Sequence, residues 1–128
     1  MSSMRGVIFI ITKPDKTFLL QLRDGNSKKF PWTWCFPGGS SENNEQPQET
    51  VIREVKEEYN IDLNRENIKY LTNFPDENNS VYICHVEQDC KPKLQEGADM
   101  KWVTIEELKQ IELGFDQKPL IELLENIL

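Results

Sequence analysis

The residues best suited to chemistry are three glutamates near the middle of the chain, Glu54, Glu57 and Glu58. At roughly 100° per residue, helix positions i, i+3 and i+4 fall on one side, so these carboxylates share a stripe. Like charges at that spacing repel by roughly a few tenths of a kcal/mol per pair in water, and by more where the dielectric is lower. A divalent cation would reverse the sign of that interaction.

The chemistry of the donors indicates which cation to expect. Oxygen donors without histidine or cysteine partners select hard cations, and Mg²⁺ binds a few carboxylates and completes its octahedron with waters and substrate phosphates. We therefore expect Mg²⁺, with Mn²⁺ as an alternative, and we do not expect zinc. Three glutamates on a helix are also typical of a solvated surface, so the functional interpretation depends on the residues around them.

The glutamates lie in a segment, residues 46–59, whose apolar residues recur at helical spacing. Pro47 suits a first helical turn, and Glu49 is an acidic residue near the positive end of the predicted helix. The apolar stripe comprises Val51, Ile52, Val55 and Tyr59. The three glutamates are therefore expected to flank the core-facing side, and Glu49, Arg53 and Lys56 to lie on the outermost surface.

Strands are predicted on both sides of this helix, from apolar, β-branched runs bounded by turn residues. They cover residues 7–11, 17–22, 68–73, 81–87 and 100–103, and residues 30–36 are predicted as a loop entering a further short strand. The first two strands form a hairpin, because Pro14 and Asp15 between them suit a turn.

Two helices are predicted near the end of the chain. Thr104 caps a short helix through Leu108, and a last helix begins after Asp116. Its predicted apolar face comprises Leu120, Leu123, Leu124, Ile127 and Leu128. The order of strands, helix, strands and helices, without regular βαβ alternation, indicates an α/β fold with a mixed sheet and helices on both faces.

Length and charge limit the classes of protein that remain. A chain of 128 residues fits one compact domain, residues 1–128. The net charge of −7 argues against a nucleic-acid or anionic-membrane partner, whereas a small anionic substrate could bind through a metal ion.

A cytoplasmic protein is predicted from two further features. Residues 6–11 are too short for a signal peptide or a membrane span, and Cys35, Cys84 and Cys90 lack the spacing of disulfide or metal-binding cysteines. A monomer and a homodimer both remain open.

The segment from Gly39 to Ile61 resembles the Nudix box, GX5EX7REUXEEXGU, in which U is a bulky apolar residue. Glu45, the pair Arg53 and Glu54, the pair Glu57 and Glu58, and Ile61 all occupy their places in that pattern. Asn60 replaces the box glycine, and asparagine is the next most tolerant residue for the left-handed conformation expected there. Residues 34–39, WCFPGG, and 20–24, LQLRD, resemble sequences that precede the box in this family.

The resemblance implies an α/β/α sandwich and a hydrolase that cleaves a nucleoside diphosphate linked to another moiety. Its implied metal ligands are Glu54, Glu57, Glu58 and the backbone carbonyl of Gly38. Arg53 is then expected to orient a carboxylate, Glu45 or Glu57, through its fixed fork of donors. The general base stays open among Glu54, Glu57, Glu96 and Asp99, with a preference for Glu57.

Substrate contacts are expected from aromatic and basic residues. Trp32 and Phe74 are predicted to stack a nucleobase, whereas Phe36 is expected to pack in the core. Arg23 is the basic residue that we place near a phosphate. His85 lies inside a predicted strand with no histidine or cysteine at ligand spacing, so we assign it a structural role.

A nucleoside triphosphate is the default substrate, because the longer signatures associated with coenzyme A and NADH diphosphatases are absent from the sequence. ADP-ribose, a nucleotide sugar and a dinucleoside polyphosphate are alternatives within the same chemistry. A Nudix-like module that binds a nucleotide without cleaving it is an alternative of another class, but it would be favoured by missing box carboxylates, and none is missing.

Overall fold

The computed structural model describes residues 5–127, which contain seven strands and three α-helices. The strands are β1 (Gly6–Thr12), β2 (Phe18–Leu22), β3 (Trp34–Cys35), β4 (Gly38–Ser40), β5 (Ile68–Asn73), β6 (Asn79–His85) and β7 (Asp99–Val103). The helices are α1 (Pro47–Tyr59), α2 (Ile105–Gln110) and α3 (Pro119–Ile127), and short 3-10 turns cover Arg65–Asn67 and Gly114–Asp116. The predicted helices and longer strands are all present, with most boundaries shifted by one or two residues.

The strands form one mixed sheet. Its main path is β3-β2-β1-β6-β5, with β4 also paired to β1 and β7 also paired to β2. β1 runs parallel to β6 from Gly6 opposite Asn79 to Thr12 opposite His85, whereas the other pairs are antiparallel. The predicted hairpin of β1 and β2 is confirmed.

Alternate residues of β1 point to opposite faces of this sheet, as the pleat requires. Val7, Phe9 and Ile11 belong to the buried cluster that contains the apolar residues of α1. Ile8 and Ile10 lie in the cluster on the other face, which the apolar residues of α2 and α3 complete. The predicted arrangement, a mixed sheet with helices on both faces, is therefore confirmed.

Both ends of α1 are formed by local interactions. At the start, Pro47 occupies the first turn and the Glu49 carboxylate accepts a hydrogen bond from the backbone N–H of Gln46 at 3.0 Å. At the end, Asn60 adopts the left-handed conformation, with φ 57° and ψ 37°, and donates its backbone N–H to the carbonyl of Lys56. The conformation that favours glycine in the box pattern is thus present at Asn60.

The Gly38–Ser40 segment forms strand β4, although the sequence predicts no strand there. It pairs antiparallel with β1, with Val7 opposite Gly39 and Ile8 opposite Gly38. Glycine is depleted in strands, so composition argues against this assignment. A Cβ at Gly38 would collide with the carbonyl oxygen of Val7. The glycine therefore permits a close backbone approach that side chains would prevent.

The predicted apolar face of α3 is partly wrong. Leu120 and Leu124 are buried as expected, together with Ile121, whereas Leu123 and Ile127 are largely exposed. Leu128 lies outside the described residues. None of the helices within residues 5–127 combines the length and the apolar character needed to cross a membrane.

Candidate active site

The carboxylate stripe of α1 is organised around the guanidinium of Arg53. Its Nε and Nη2 donate to the two oxygens of Glu45 at 2.8 and 3.0 Å, which is the parallel, two-bond geometry of an arginine fork. Glu45 also accepts from the Thr50 hydroxyl and the Glu42 backbone N–H. The Arg53 hydrogen bonds, followed by the Glu42 N–H, lower the pKa of Glu45 to about 2.

Arg53 also joins α1 to strand β4. Its Nη2 donates to the carbonyl of Ser40 at 2.9 Å, and its Nη1 lies 2.7 Å from Glu54 and 3.2 Å from Glu57. The side chain is 22% exposed, so the expectation that Arg53 lies on the outermost surface is wrong. Neighbouring carboxylates and the Ser40 carbonyl accept hydrogen bonds from all three guanidinium nitrogens. These contacts hold the long side chain against the protein instead of in solvent.

Gly39 sets the distance between β4 and the stripe. A Cβ on Gly39 would collide with the carboxylate carbon and Oε2 of Glu54. The Glu54 carboxylate therefore lies directly against the backbone of β4, beside Gly38. The structure thus brings two of the predicted ligand residues, Gly38 and Glu54, to one edge of the sheet.

Glu58 differs from the other carboxylates of the stripe in being buried, with only 2% of the residue exposed. Neither of its buried carboxylate oxygens has a hydrogen-bond partner within the described part of the chain. Burial, and then the adjacent carboxylates of Glu54 and Glu96, raise the pKa of Glu58 to about 10. A buried carboxylate without donors is costly, and a proton or a cation would relieve that cost.

A divalent cation fits this donor set. Glu58 offers two buried oxygens that have no hydrogen-bond partner in the described part of the chain, Glu54 and Glu96 face it, and all of these donors are hard oxygens. Within residues 5–127, however, no three carboxylate, histidine or cysteine side chains are already arranged to hold a metal ion. The side chain of Glu57 is 56% exposed and forms an ion pair with Arg53 at 3.2 Å. Ligation by Glu57 therefore requires it to leave that ion pair.

The two later acidic residues differ in position. Glu96 lines the same cavity as Gly38 and Gly39 and faces Glu58. Asp99 is exposed at the start of β7, where its carboxylate accepts a hydrogen bond from the N–H of Met100. The structure thus brings Glu96 to the stripe and leaves Asp99 outside the lining of the cavity.

A cavity of about 570 Å³ opens beside β4 and extends away from the carboxylates. Its size falls in the range of small-molecule sites. Arg23 and Phe74, two of the predicted substrate contacts, line it. The third, Trp32, does not, because its ring covers Gly25 and is turned to solvent, with 66% of the residue exposed.

Besides Phe74, the wall of the cavity contains two aromatic residues, Phe30 and Phe115, that the sequence did not predict as substrate contacts. Phe30 and Phe115 pack with ring centroids 4.7 Å apart, and the Arg23 guanidinium lies 4.8 Å from the Phe115 ring. Phe115 and Asp116 both have positive φ, 57° and 53°. Gln117 holds this turn to β3 by accepting from the N–H of Phe36 at 2.8 Å.

The residue types of Phe115 and Asp116 did little to indicate that they line the cavity. Two consecutive non-glycine residues with positive φ are rare, and only the aspartate is of a type enriched there. The turn is fixed by the buried amide of Gln117, and its burial cannot be read from the sequence. Phe36 is buried as predicted, and His85, Cys35 and Cys84 lie in their predicted strands outside the carboxylate stripe.

Comparison with protein families gives a match to the NUDIX domain model over residues 2–124. Comparison with curated protein sequences gives no significant match.

Solved structures with the same fold include MutT proteins from several organisms. A MutT protein from Methanosarcina mazei Go1 is 26% identical, with a TM-score of 0.74 over 97% of this chain and 94% of that chain. A MutT protein described for Aliivibrio salmonicida and Vibrio cholerae is 23% identical, with a TM-score of 0.79 over 98% of each chain. The NUDIX domain of Shewanella oneidensis NrtR, in complex with ADP ribose, is 21% identical, with a TM-score of 0.78 over 99% and 89%.

The burial of the Glu58 carboxylate predicts that the stability of the metal-free protein depends on pH. Its pKa rises on folding from an ordinary value of 4.5 to about 10, so the metal-free protein loses stability as pH rises through that window. Glu58→Gln removes the titrating group and that loss. In chelator at pH 8 we expect Tm to rise by about 4 °C or more, and the difference from wild type to shrink toward pH 5.

Thermal denaturation followed by circular dichroism across this pH range tests the expectation. Glu122→Gln, at an exposed position of α3, is the matched control and should show no such trend. A Glu58→Gln difference that is independent of pH would show that the buried carboxylate carries no titration penalty.

Proposed function

The chain belongs to the Nudix family of pyrophosphohydrolases, and we propose that it hydrolyses a nucleoside triphosphate with Mg²⁺, or with Mn²⁺ in its place. The observation that carries the proposal is the buried carboxylate of Glu58, which has no hydrogen-bond partner among residues 5–127 and faces Glu54 and Glu96 beside a cavity of nucleotide size. The products would be a nucleoside monophosphate and pyrophosphate.

The charge of the protein supports a metal-dependent route. A net charge of −7 and a cluster of carboxylates repel a polyphosphate, so binding needs positive charge at the site itself. We propose that Glu54, Glu57, Glu58 and the Gly38 carbonyl hold the cation. When bound, it neutralises phosphate charge, lowers the pKa of a coordinated water and holds the displacement in line.

The shape of the cavity supports a nucleoside as the other part of the substrate. Phe30, Phe74 and Phe115 provide apolar surface in its lining, against which a base can stack. Asp116 also lines the cavity and offers a carboxylate to hydrogen-bond donors of the base. The glycines of β4 are part of the same lining, and we propose that the phosphates lie against them, next to the carboxylates.

We assign the remaining roles from position on the helix. Glu57 is the exposed carboxylate of the stripe, so it can take a proton from the attacking water, and Glu54 and Glu96 are the alternatives. Arg53 orients Glu45 and Glu54. Arg23 lies at the cavity wall with its guanidinium 4.8 Å from the Phe115 ring, so we assign it to a contact with the part of the substrate beside Phe115. The three cysteines are free, which fits action in the reducing cytoplasm.

A substrate panel tests the proposal. With Mg²⁺ present, we expect pyrophosphate release from at least one ribo- or deoxyribonucleoside triphosphate, and no release in excess chelator. ADP-ribose, a nucleotide sugar and a dinucleoside polyphosphate belong in the same panel, read by their monophosphate products. Glu54→Gln is the matched isosteric variant and should lose at least about a hundredfold in turnover. Hydrolysis that persists in chelator, or a nucleotide that binds but is never cleaved, would contradict the proposal.

The Arg53 fork makes a second prediction. Arg53→Lys keeps the positive charge but cannot make two parallel hydrogen bonds to Glu45 while reaching the Ser40 carbonyl and Glu54. Because a misplacement of about 1 Å at a reacting site can cost on the order of a hundredfold, we expect a large fall in kcat and a smaller change in KM.

Steady-state kinetics on folded protein measures both constants. Arg65→Lys, at an exposed position outside the stripe, is the control for the substitution itself and should behave as wild type. If Arg53→Lys instead raised KM with kcat unchanged, Arg53 would be a substrate-phosphate contact and the orienting role would be wrong.

A further inference from the structure

The loop before β7 carries Glu96 to the carboxylate stripe, and both of its ends are fixed by backbone hydrogen bonds. The N–H groups of Lys93 and Gln95 donate to the carbonyls of Tyr59 and Glu58 at 2.9 and 2.8 Å. These are carbonyls of the last turn of α1, which need partners from outside the helix. At the other end, the N–H of Ala98 donates to the carbonyl of Leu22 at 2.8 Å.

Between these ends, the loop rests on the side chain of Gln21 in β2. The Gln21 Nε2 donates to the carbonyl oxygen of Glu96 at 3.0 Å. Gly97 follows with φ 89°, and a Cβ there would lie 2.9 Å from both Cγ and Nε2 of Gln21. The loop backbone therefore lies flat on the glutamine, in a conformation that glycine permits.

Gln21 is an unusual residue for its position. It is 6% exposed and sits in a strand whose other residues, Phe18, Leu19, Leu20 and Leu22, are apolar. Burying an amide costs free energy unless it is hydrogen-bonded, and an apolar side chain would fill the same space without that cost. Its hydrogen bond to the Glu96 carbonyl is a contact that an apolar residue could not supply.

We propose that Gln21 is a positioning residue that fixes the backbone of Glu96, so that the Glu96 carboxylate faces Glu58. The inference rests on the proposed function, because it gives Glu96 a part in the same reaction site. Gln21 holds the carbonyl of Glu96 and leaves its side chain directed at the stripe. Mutation of a residue that orients a site residue through a hydrogen bond commonly lowers activity or metal affinity by roughly ten- to a hundredfold.

Gln21→Met is the direct test, because methionine keeps the length of the side chain and removes the donor. We expect kcat to fall about tenfold, with KM for the nucleotide changing by less than about twofold. The affinity for Mn²⁺ alone, measured from the loss of the free-ion electron paramagnetic resonance signal, should also weaken severalfold. Should Gln21→Met fold poorly, Gln21→Asn keeps a polar amide that is too short to reach the Glu96 carbonyl.

Thr12→Val is the matched control for losing a buried polar group. Thr12 is 5% exposed, and its hydroxyl donates to the carbonyl of Thr17 at 2.8 Å, away from the carboxylates. We expect its kcat and Mn²⁺ affinity to match wild type even if its Tm falls. An equal kinetic loss in Thr12→Val would show that the Gln21 effect is one of general stability, and would overturn the proposal.

A double-mutant cycle with Glu96→Gln shows whether Gln21 acts through Glu96. In that background we expect Gln21→Met to change kcat by less than about twofold further. A full tenfold loss in both backgrounds would overturn the proposal, as would a rise in KM alone, which would identify Gln21 as a substrate contact. If the wild-type protein cleaved no nucleotide, the proposed function would fail, and the same cycle run on Mn²⁺ affinity would still decide the role of Gln21.

Discussion

Electrostatic repulsion among the carboxylates of α1 is the constraint on which the rest of the site depends. Arg53 offsets part of it, because one guanidinium lies within 4 Å of the carboxylates of Glu42, Glu45, Glu54 and Glu57. It does not reach Glu58, whose buried oxygens keep no donor among the described residues. The negative charge is thus compensated at one end of the stripe and left uncompensated at the end that faces Glu96.

The fold brings strand β4 and the loop before β7 close to the carboxylates of α1. Strand β4 lies against Glu54 because Gly39 has no side chain, and Arg53 ties the same strand to the helix through the Ser40 carbonyl. The loop before β7 brings Glu96 from the opposite side and closes the last turn of α1. A sheet edge, a helix and a loop from separate parts of the chain therefore converge on one group of oxygens.

Much of this could be predicted from the sequence, because the helix period places Glu54, Glu57 and Glu58 together and the resemblance to the box gives Arg53 a carboxylate partner, Glu45 or Glu57. The remainder depends on tertiary contacts that residue type does not encode. Strand β4 was missed because glycine argues against a strand, although here its missing side chain is what lets two backbones meet. Phe115 was missed because its place in the cavity depends on a turn held by Gln117, 81 residues from its partner Phe36. The metal and substrate roles themselves stay predictions.

The central claim is that the buried end of the stripe holds a divalent cation, and a crystal grown or soaked with Mn²⁺ tests it most directly. We predict an anomalous difference peak about 2.0–2.4 Å from carboxylate oxygens of both Glu54 and Glu58, with the Glu57 side chain turned away from Arg53. A saturated crystal with no peak there, or with its peak on an exposed acidic surface such as that around Asp62 and Glu66, would contradict the account.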